Sequence, residues 1–249
     1  MTRSAKPDAS APTATPAPAT LDLALWAADV AFPVAGPDAW VADLDARLAE
    51  CAASGVDLLM LPEYACLRWL TYAPDDVPIT GEAAWLARQA DAVLPRLPDL
   101  ARRHGVALLA GTMPAAGAGG TGLRNRAHLF LPDGRHAVQD KLCLTPIERD
   151  ASVWAHLAAG DGVTVVAWRG LRVAVVVCLD VEQPALAALL QPQDLDLVLV
   201  PSMTSRPSGY HRVFDCAKAR AVELMCPVAV VGTVGTQVRL GEATTNVAG

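Results

Sequence analysis

The sequence predicts an α/β protein built as one domain, and three observations lead there. Short continuous apolar runs, such as Leu58-Leu59-Met60-Leu61, have the composition of strands buried on both faces. Between them lie segments whose apolar residues recur every three or four positions, the spacing of an amphipathic helix. Pro132-Asp133-Gly134 and Arg169-Gly170 sit between apolar runs as turns, so hairpins are expected beside crossovers and the sheet is expected to be mixed. Strands alternating with helices select a layered α/β architecture. No repeat of fixed period and no internal linker divides the chain.

The elements follow in order. Residues 1–20 are rich in Ala and Pro and contain no Leu, Ile, Val or Phe, so they are expected to be a disordered tail ahead of a domain over 21–249. Leu21, Leu23 and Leu25 alternate with other residues and predict a strand over 21–30. Gly36-Pro37-Asp38 starts a helix carried by Trp40, Leu44, Leu48 and Cys51 and closed by Ser54-Gly55. A buried strand is expected over 57–62. A helix over 82–104 contains Pro95 and Pro98, which predict a break or kink. Strands are expected over 106–111 and 127–131, then a further strand after the Pro-Asp-Gly turn. A hairpin over 163–168 and 172–177, a helix over 183–190, a strand over 197–201, a helix over 211–225 and a strand over 228–234 complete the series.

Composition narrows the function. The 249 residues carry a formal charge of −6, without the basic excess that a nucleic-acid partner needs. The most apolar run, 173–179, is far shorter than the ~20 residues of a membrane-spanning helix, and the N-terminal stretch lacks the apolar region of a signal peptide. Six cysteines are scattered with no C-x-x-C pair, and the histidines show no H-x-x-x-H spacing. A disulfide scaffold, a metal site and a membrane partner are therefore not expected; a reducing cytoplasmic compartment is.

Two patterns bear on chemistry. Gly117, Gly119 and Gly122 fit G-x-G-x-x-G, but that motif needs a helix directly after it to hold a pyrophosphate. Here a strand and a Pro-Asp-Gly turn follow, so a glycine loop is expected and no dinucleotide or other cofactor. The sharper pattern is Glu63, Lys141 and Cys178, each at the end of an expected strand. Ligands of open α/β sheets bind outside the carboxyl ends of strands. A carboxylate there can take a thiol proton, and an ammonium can stabilise the thiolate and a later oxyanion. Spacing alone favours two surface charges and a core cysteine, since buried structural cysteines are common.

Beyond spacing, Leu61-Pro62-Glu63, Asp140-Lys141-Leu142-Cys143-Leu144-Thr145-Pro146-Ile147-Glu148 and Val175-Val176-Val177-Cys178-Leu179-Asp180 resemble, in order, the three catalytic motifs of the nitrilase superfamily, the carbon–nitrogen hydrolases. Ala110-Gly111-Thr112, the strand with Asn125-Arg126-Ala127, the Pro-Asp-Gly turn and Arg220-Ala221-Val222-Glu223 resemble the family too. The resemblance implies a four-layer α-β-β-α sandwich of two mixed sheets. It makes Glu63 the general base, Lys141 the oxyanion cation and Cys178 the nucleophile. Glu148 would orient substrate and water, and the Leu179 N–H would be a second oxyanion donor. Arg220 and Glu223 are expected to form a structural pair. Tyr64, Met203 and Thr204 are pocket candidates from their place after motif strands.

Leu179-Asp180 after the nucleophile is similar to the amidase-like branch, whereas nitrilases tend to show Cys-Trp-Glu. The resemblance thus implies hydrolysis of a small amide without metal or cofactor. A small nitrile is the alternative substrate; a non-catalytic binding protein or an inactive fragment is the alternative role. The resemblance also implies association into a homodimer or larger homo-oligomer. Many members of the family carry Asn at the position of Leu224 and continue beyond the point where this sequence stops, so a C-terminally truncated piece is one expectation.

Overall fold

The computed structural model describes residues 20–117 and 122–247. Apart from Thr20, the expected Ala/Pro-rich tail lies outside them, as does Gly119. Two mixed sheets pack face to face with helices on both outer surfaces. The first sheet has the order β1 (Leu23–Leu25), β2 (Leu58–Met60), β3 (Ala107–Ala116), β4 (Leu123–Phe130), β5 (His136–Asp140). β1, β2 and β3 run parallel, and β3, β4 and β5 form an antiparallel meander. The second sheet has the order β6 (Val165–Trp168), β7 (Leu171–Val175), β8 (Leu197–Ser202), β9 (Val228–Gly232), antiparallel at the first pair and parallel thereafter.

Period-two alternation divides the apolar runs between two cores. In β2, Leu58 and Met60 join the core between the sheets, with Ala107 and Leu109 of β3 and Leu197 and Leu199 of β8. Leu59 and Leu61 point the other way, into a core with α1 (Pro37–Ala53), α2 (Glu82–Val93) and α3 (Leu97–His104). Helices α4 (Pro184–Leu190) and α5 (Pro207–Leu224) cover the second sheet through Leu186, Leu190, Val213 and Ala217. The four-layer sandwich follows from these two inward faces and two helical coats.

Several expected elements have different limits. The strand expected over 21–30 is only β1. Past Trp26, whose N–H still donates to the Met60 carbonyl, the chain leaves the first sheet, and Asp29 bridges Val234 beside the second. The helix expected over 82–104 is α2 and α3 joined by a 3-10 turn, Leu94–Arg96, that holds Pro95; Pro98 sits in the first turn of α3, where its missing N–H costs nothing. Helix α5 begins four residues before the expected start, with Pro207 in its first turn. Gly117 and Gly122 close the β3–β4 connection through Gly117 N–H to Gly122 O, and a strand follows, so no helix stands there for a pyrophosphate. A C-terminal hairpin, β10 (Gly235–Arg239) and β11 (Glu242–Asn246), was not expected. Most of its side chains are exposed or half-buried, so it lacks the apolar signal that marks the core strands.

Candidate active site

Glu63, Lys141 and Cys178 converge from both sheets. Glu63 follows β2, Lys141 follows β5 and Cys178 follows β7. All three are buried, at 2%, 1% and 5% exposure. Two of the strand ends turn sharply: Tyr64 (φ 52°) and Cys178 (φ 49°) adopt left-handed backbone. For non-glycine residues this conformation carries strain that the surrounding structure must hold. Tyr64 is held through its N–H, which donates to Thr112 Oγ1 at 3.0 Å. Gly111 (φ +72°) lies at an irregularity of β3 against β4, beside the Pro62 carbonyl, where no Cβ would fit. That close approach lets β3 support the Glu63 turn.

Lys141 Nζ lies 2.8 Å from Glu63 Oε1 and 2.8 Å from Glu148 Oε2. Its carbonyl accepts the Gly160 N–H at 2.8 Å; a Cβ on Gly160 would stand 2.6 Å from the Asp140 carbonyl. Asn125 Nδ2 donates to both carboxylates, at 2.8 Å to Glu63 and 2.9 Å to Glu148. Glu148 also receives Tyr64 O–H at 2.8 Å, Thr145 N–H at 2.8 Å and Thr145 O–H at 2.9 Å. The Cys178 thiol donates to the Met203 carbonyl at 3.5 Å and accepts from Ser202 Oγ at 3.4 Å.

The electrostatics distinguish these groups. Burial raises the Glu63 carboxyl above its ordinary range; the Lys141 charge opposes the rise and the Glu148 charge adds to it. Burial also pushes Glu148 upward, but Lys141 and the hydrogen bonds from Thr145 and Asn125 outweigh it, and the group lies below its ordinary value. Burial would lower Lys141, yet Glu63, Cys178 and Glu148 hold its ammonium well above the usual range. Burial and the Glu63 charge push the Cys178 thiol up to about 12, with Lys141 and the Ser202 hydroxyl pulling the other way. The fully buried Cys66 thiol is raised by desolvation with no cation to oppose it. The site therefore brings together a neutral thiol, a permanent cation and a carboxylate of raised basicity. Such a set can transfer a proton from sulfur and stabilise negative charge on a substrate oxygen.

The other expected residues divide. Glu148 and Tyr64 join the cluster. Leu179 stands next to Cys178 at the start of a 3-10 segment, Cys178–Glu182. Met203 contributes its carbonyl. Thr204 turns away, its hydroxyl donating to the Val247 carbonyl at 2.7 Å. Arg220 is buried on α5 and pairs with Glu223 at 3.2 Å, on the outer helical layer. Asn125, Thr145 and Ser202 have no site role in the sequence reading. Asn125 and Thr145 lie inside quoted segments, and Ser202 ends a strand beside the expected pocket candidate Met203. Among the described residues no group of three or more His, Cys, Asp or Glu is arranged to hold a metal ion, and no helix is long and apolar enough to cross a membrane.

Comparison with known proteins gives consistent matches. Residues 12–246 match the family described as carbon-nitrogen hydrolase. A probable hydrolase, YhcX, of Bacillus subtilis (strain 168) is 35% identical over 137 residues, 55% of this chain and 26% of that protein. An (R)-stereoselective amidase of Pseudomonas sp is 31% identical over 112 residues, 45% of this chain and 38% of that protein. The chain thus matches well under two thirds of the length of either curated relative. Among solved structures, a double mutant of the amidase from Nesterenkonia sp. AN1 in complex with acrylamide superposes with a TM-score of 0.70 at 25% identity, covering 94% of this chain and 84% of that one. Another mutant of that amidase, with acrylamide added at its active-site cysteine, gives 0.66 at 26% identity over 88% and 82% of the two chains.

Proposed function

The chain belongs to the carbon-nitrogen hydrolase family, and from that premise we propose that it hydrolyses the carbon–nitrogen bond of a small amide through a thioester on Cys178. Glu63 takes the thiol proton as Cys178 Sγ attacks the carbonyl carbon. The oxyanion is held by the Lys141 ammonium and the Leu179 N–H. The tetrahedral intermediate collapses, the C–N bond breaks, and Glu63 returns the proton to the departing ammonia or amine. Glu63 then deprotonates a water, which attacks the thioester; the acid leaves and Cys178 regains its proton. Glu148 keeps Lys141 in place and orients the substrate.

The observation that carries this reading is the contact of Lys141 with Glu63 and Glu148 at 2.8 Å each, with the charges of Lys141 and Glu63 acting on the Cys178 thiol. The Nesterenkonia amidase mutants, with acrylamide bound or added at the cysteine, support an amide as the substrate class. Leu179-Asp180 after the nucleophile supports amide over nitrile. The six free cysteines support a reducing, cytoplasmic setting. Exposed Leu189, Val222 and Met225 around the outer helices support association into a homo-oligomer, with residues 21–249 acting as the hydrolase domain.

An ammonia-release screen over small amides, ureides and nitriles tests the proposal, with Cys178→Ala as the control. Release from an amide, lost in Cys178→Ala, is the expected result. Release from nitriles alone, or activity that survives Cys178→Ala, would overturn it.

A further inference from the structure

The candidate catalytic residues belong to two different sheets. Glu63 and Lys141 follow strands of the first, and Cys178 follows a strand of the second. Apolar packing between sheets is non-directional. It brings the strand ends together without specifying their mutual offset, although attack and proton transfer depend on placement finer than an ångström.

Two buried polar side chains that follow strands of the second sheet make directional bonds across this divide. Asp180 has no exposed surface. Its Oδ1 accepts the N–H groups of Leu142 at 3.1 Å and Cys143 at 2.7 Å, the two residues after Lys141. Its Oδ2 accepts the N–H of Val177 at 2.9 Å, the residue before Cys178. One carboxylate thereby joins the nucleophile turn to the lysine loop. Thr233, directly after β9, is also fully buried. Its hydroxyl donates to the Glu63 carbonyl at 2.5 Å, and its N–H donates to the Ser202 carbonyl at 3.0 Å. Ser202 in turn donates its hydroxyl to Cys178 Sγ. This second route joins the turn that carries Glu63 to a direct neighbour of the nucleophile.

We infer that Asp180 and Thr233 are positioning residues, two clasps between the sheets that set Cys178 against Lys141 and Glu63. The inference rests on the amide-hydrolysis reading above. An inert core would satisfy the same backbone groups anywhere; here both clasps end within two residues of a proposed catalytic side chain. A carboxylate that accepts backbone N–H groups on both oxygens, the Leu142 N–H reaching Oδ2 as well at 3.3 Å, is suited to the task, because an amide of the same shape presents N–H to some of those donors.

The test compares parent protein, Asp180→Asn, Thr233→Val and Cys178→Ala, each checked for folding by circular dichroism. Asp180→Asn should lower kcat at least about tenfold with KM little changed, as expected when a reacting group is misplaced. It should also move the pH profile of iodoacetamide inactivation to higher pH, because Cys178 then loses the Lys141 ammonium that favours its thiolate beside the opposing charge of Glu63. Thr233→Val should lower kcat severalfold with KM little changed. Folded variants with parental kcat and a parental inactivation profile would overturn the clasps and leave only a structural role. Should Asp180→Asn not fold, kcat of Thr233→Val decides by the same criterion. Loss of turnover in Cys178→Ala shows that the hydrolase reading stands whichever way the clasp variants behave. Retained turnover there would bring down that reading and the clasps with it.

Discussion

Lys141 separates two carboxylates that share it yet stand in different surroundings. On one side Glu148 receives five hydrogen bonds spread over both oxygens, from Tyr64, Asn125, Lys141 and Thr145. On the other side, among the described residues, the nitrogen donors to Glu63 are Lys141 and Asn125, and both meet Oε1. Burial raises both carboxyls. At Glu63 burial and the Glu148 charge prevail over Lys141. At Glu148 the Lys141 charge and the hydrogen bonds from Lys141, Thr145 and Asn125 prevail over burial, so Glu148 lies below the ordinary range and Glu63 above it. The difference teaches which carboxylate can carry a proton. In the proposed mechanism Glu148 serves charge and geometry, while Glu63, with its raised basicity and less engaged carboxylate, moves the proton.

Substitutions on the two sides should behave differently, and the largest effect belongs to Glu63. Glu63→Gln retains size and the Asn125–Lys141 neighbourhood but cannot accept the thiol proton. Turnover should fall by about 10²–10⁴, the usual contribution of a general base, with the far-ultraviolet spectrum unchanged. Turnover within a fewfold of the parent would place the base elsewhere. Lys141→Ala removes the link between the two sides. The rate should fall roughly a hundredfold or more from loss of the oxyanion partner. Because Lys141 is 1% exposed and pairs with two buried carboxylates, stability should fall as well, by about 3–5 kcal/mol in denaturant melts.

Glu148→Gln should have the smallest effect on rate and the most informative pH dependence. The Glu148 charge helps raise Glu63, and its removal also leaves Lys141 to Glu63 alone. Both changes favour ionised Glu63, so the acid limb of kcat/KM should move to lower pH. A limb that moved upward would contradict the assignment of Glu63 as the titrating base. Stability gives a second readout of known sign. Glu148 has a depressed value in the folded protein, so its stabilisation is present above the unfolded carboxylate range and lost as pH falls through the folded value. At neutral pH the variant should be less stable by about 1–3 kcal/mol, from donors left unsatisfied, and the gap to the parent should narrow in acid.

The contrast between these carboxylates also shows how far the sequence could be read. Glu63, Lys141 and Cys178 stand at the ends of apolar runs and inside three ordered motifs, so their placement at strand ends was legible. The direction of each carboxylate's shift was not, because it depends on how deeply each is buried, on the Lys141 charge between them and, at Glu148, on bonds from Thr145 and Asn125, which reach it from separate segments. Core strands such as Leu58–Met60 were visible because both faces are apolar. The path from Ala27 to Val30 was misread as an extension of β1; alternation in the sequence cannot show that Asp29 bridges the second sheet. The hairpin of β10 and β11 escaped because Thr236, Thr244 and Thr245 offer no buried stripe. One anchor holding it is Arg239 on Glu82, a pair separated by 157 residues that no local pattern shows.

The claim at the centre of this account is that Cys178 carries the acyl group in a site where Glu63, and not Glu148, moves the proton. Rapid mixing with a small amide, acid quenching and intact-protein mass spectrometry test it most directly. Parent protein and Glu148→Gln should gain the mass of one acyl group, mapped to the peptide containing Cys178 and lost again as the thioester hydrolyses. Glu63→Gln should gain it far more slowly, and Cys178→Ala not at all. Turnover without an adduct on Cys178, or acylation of Glu63→Gln at the parental rate, would contradict the account.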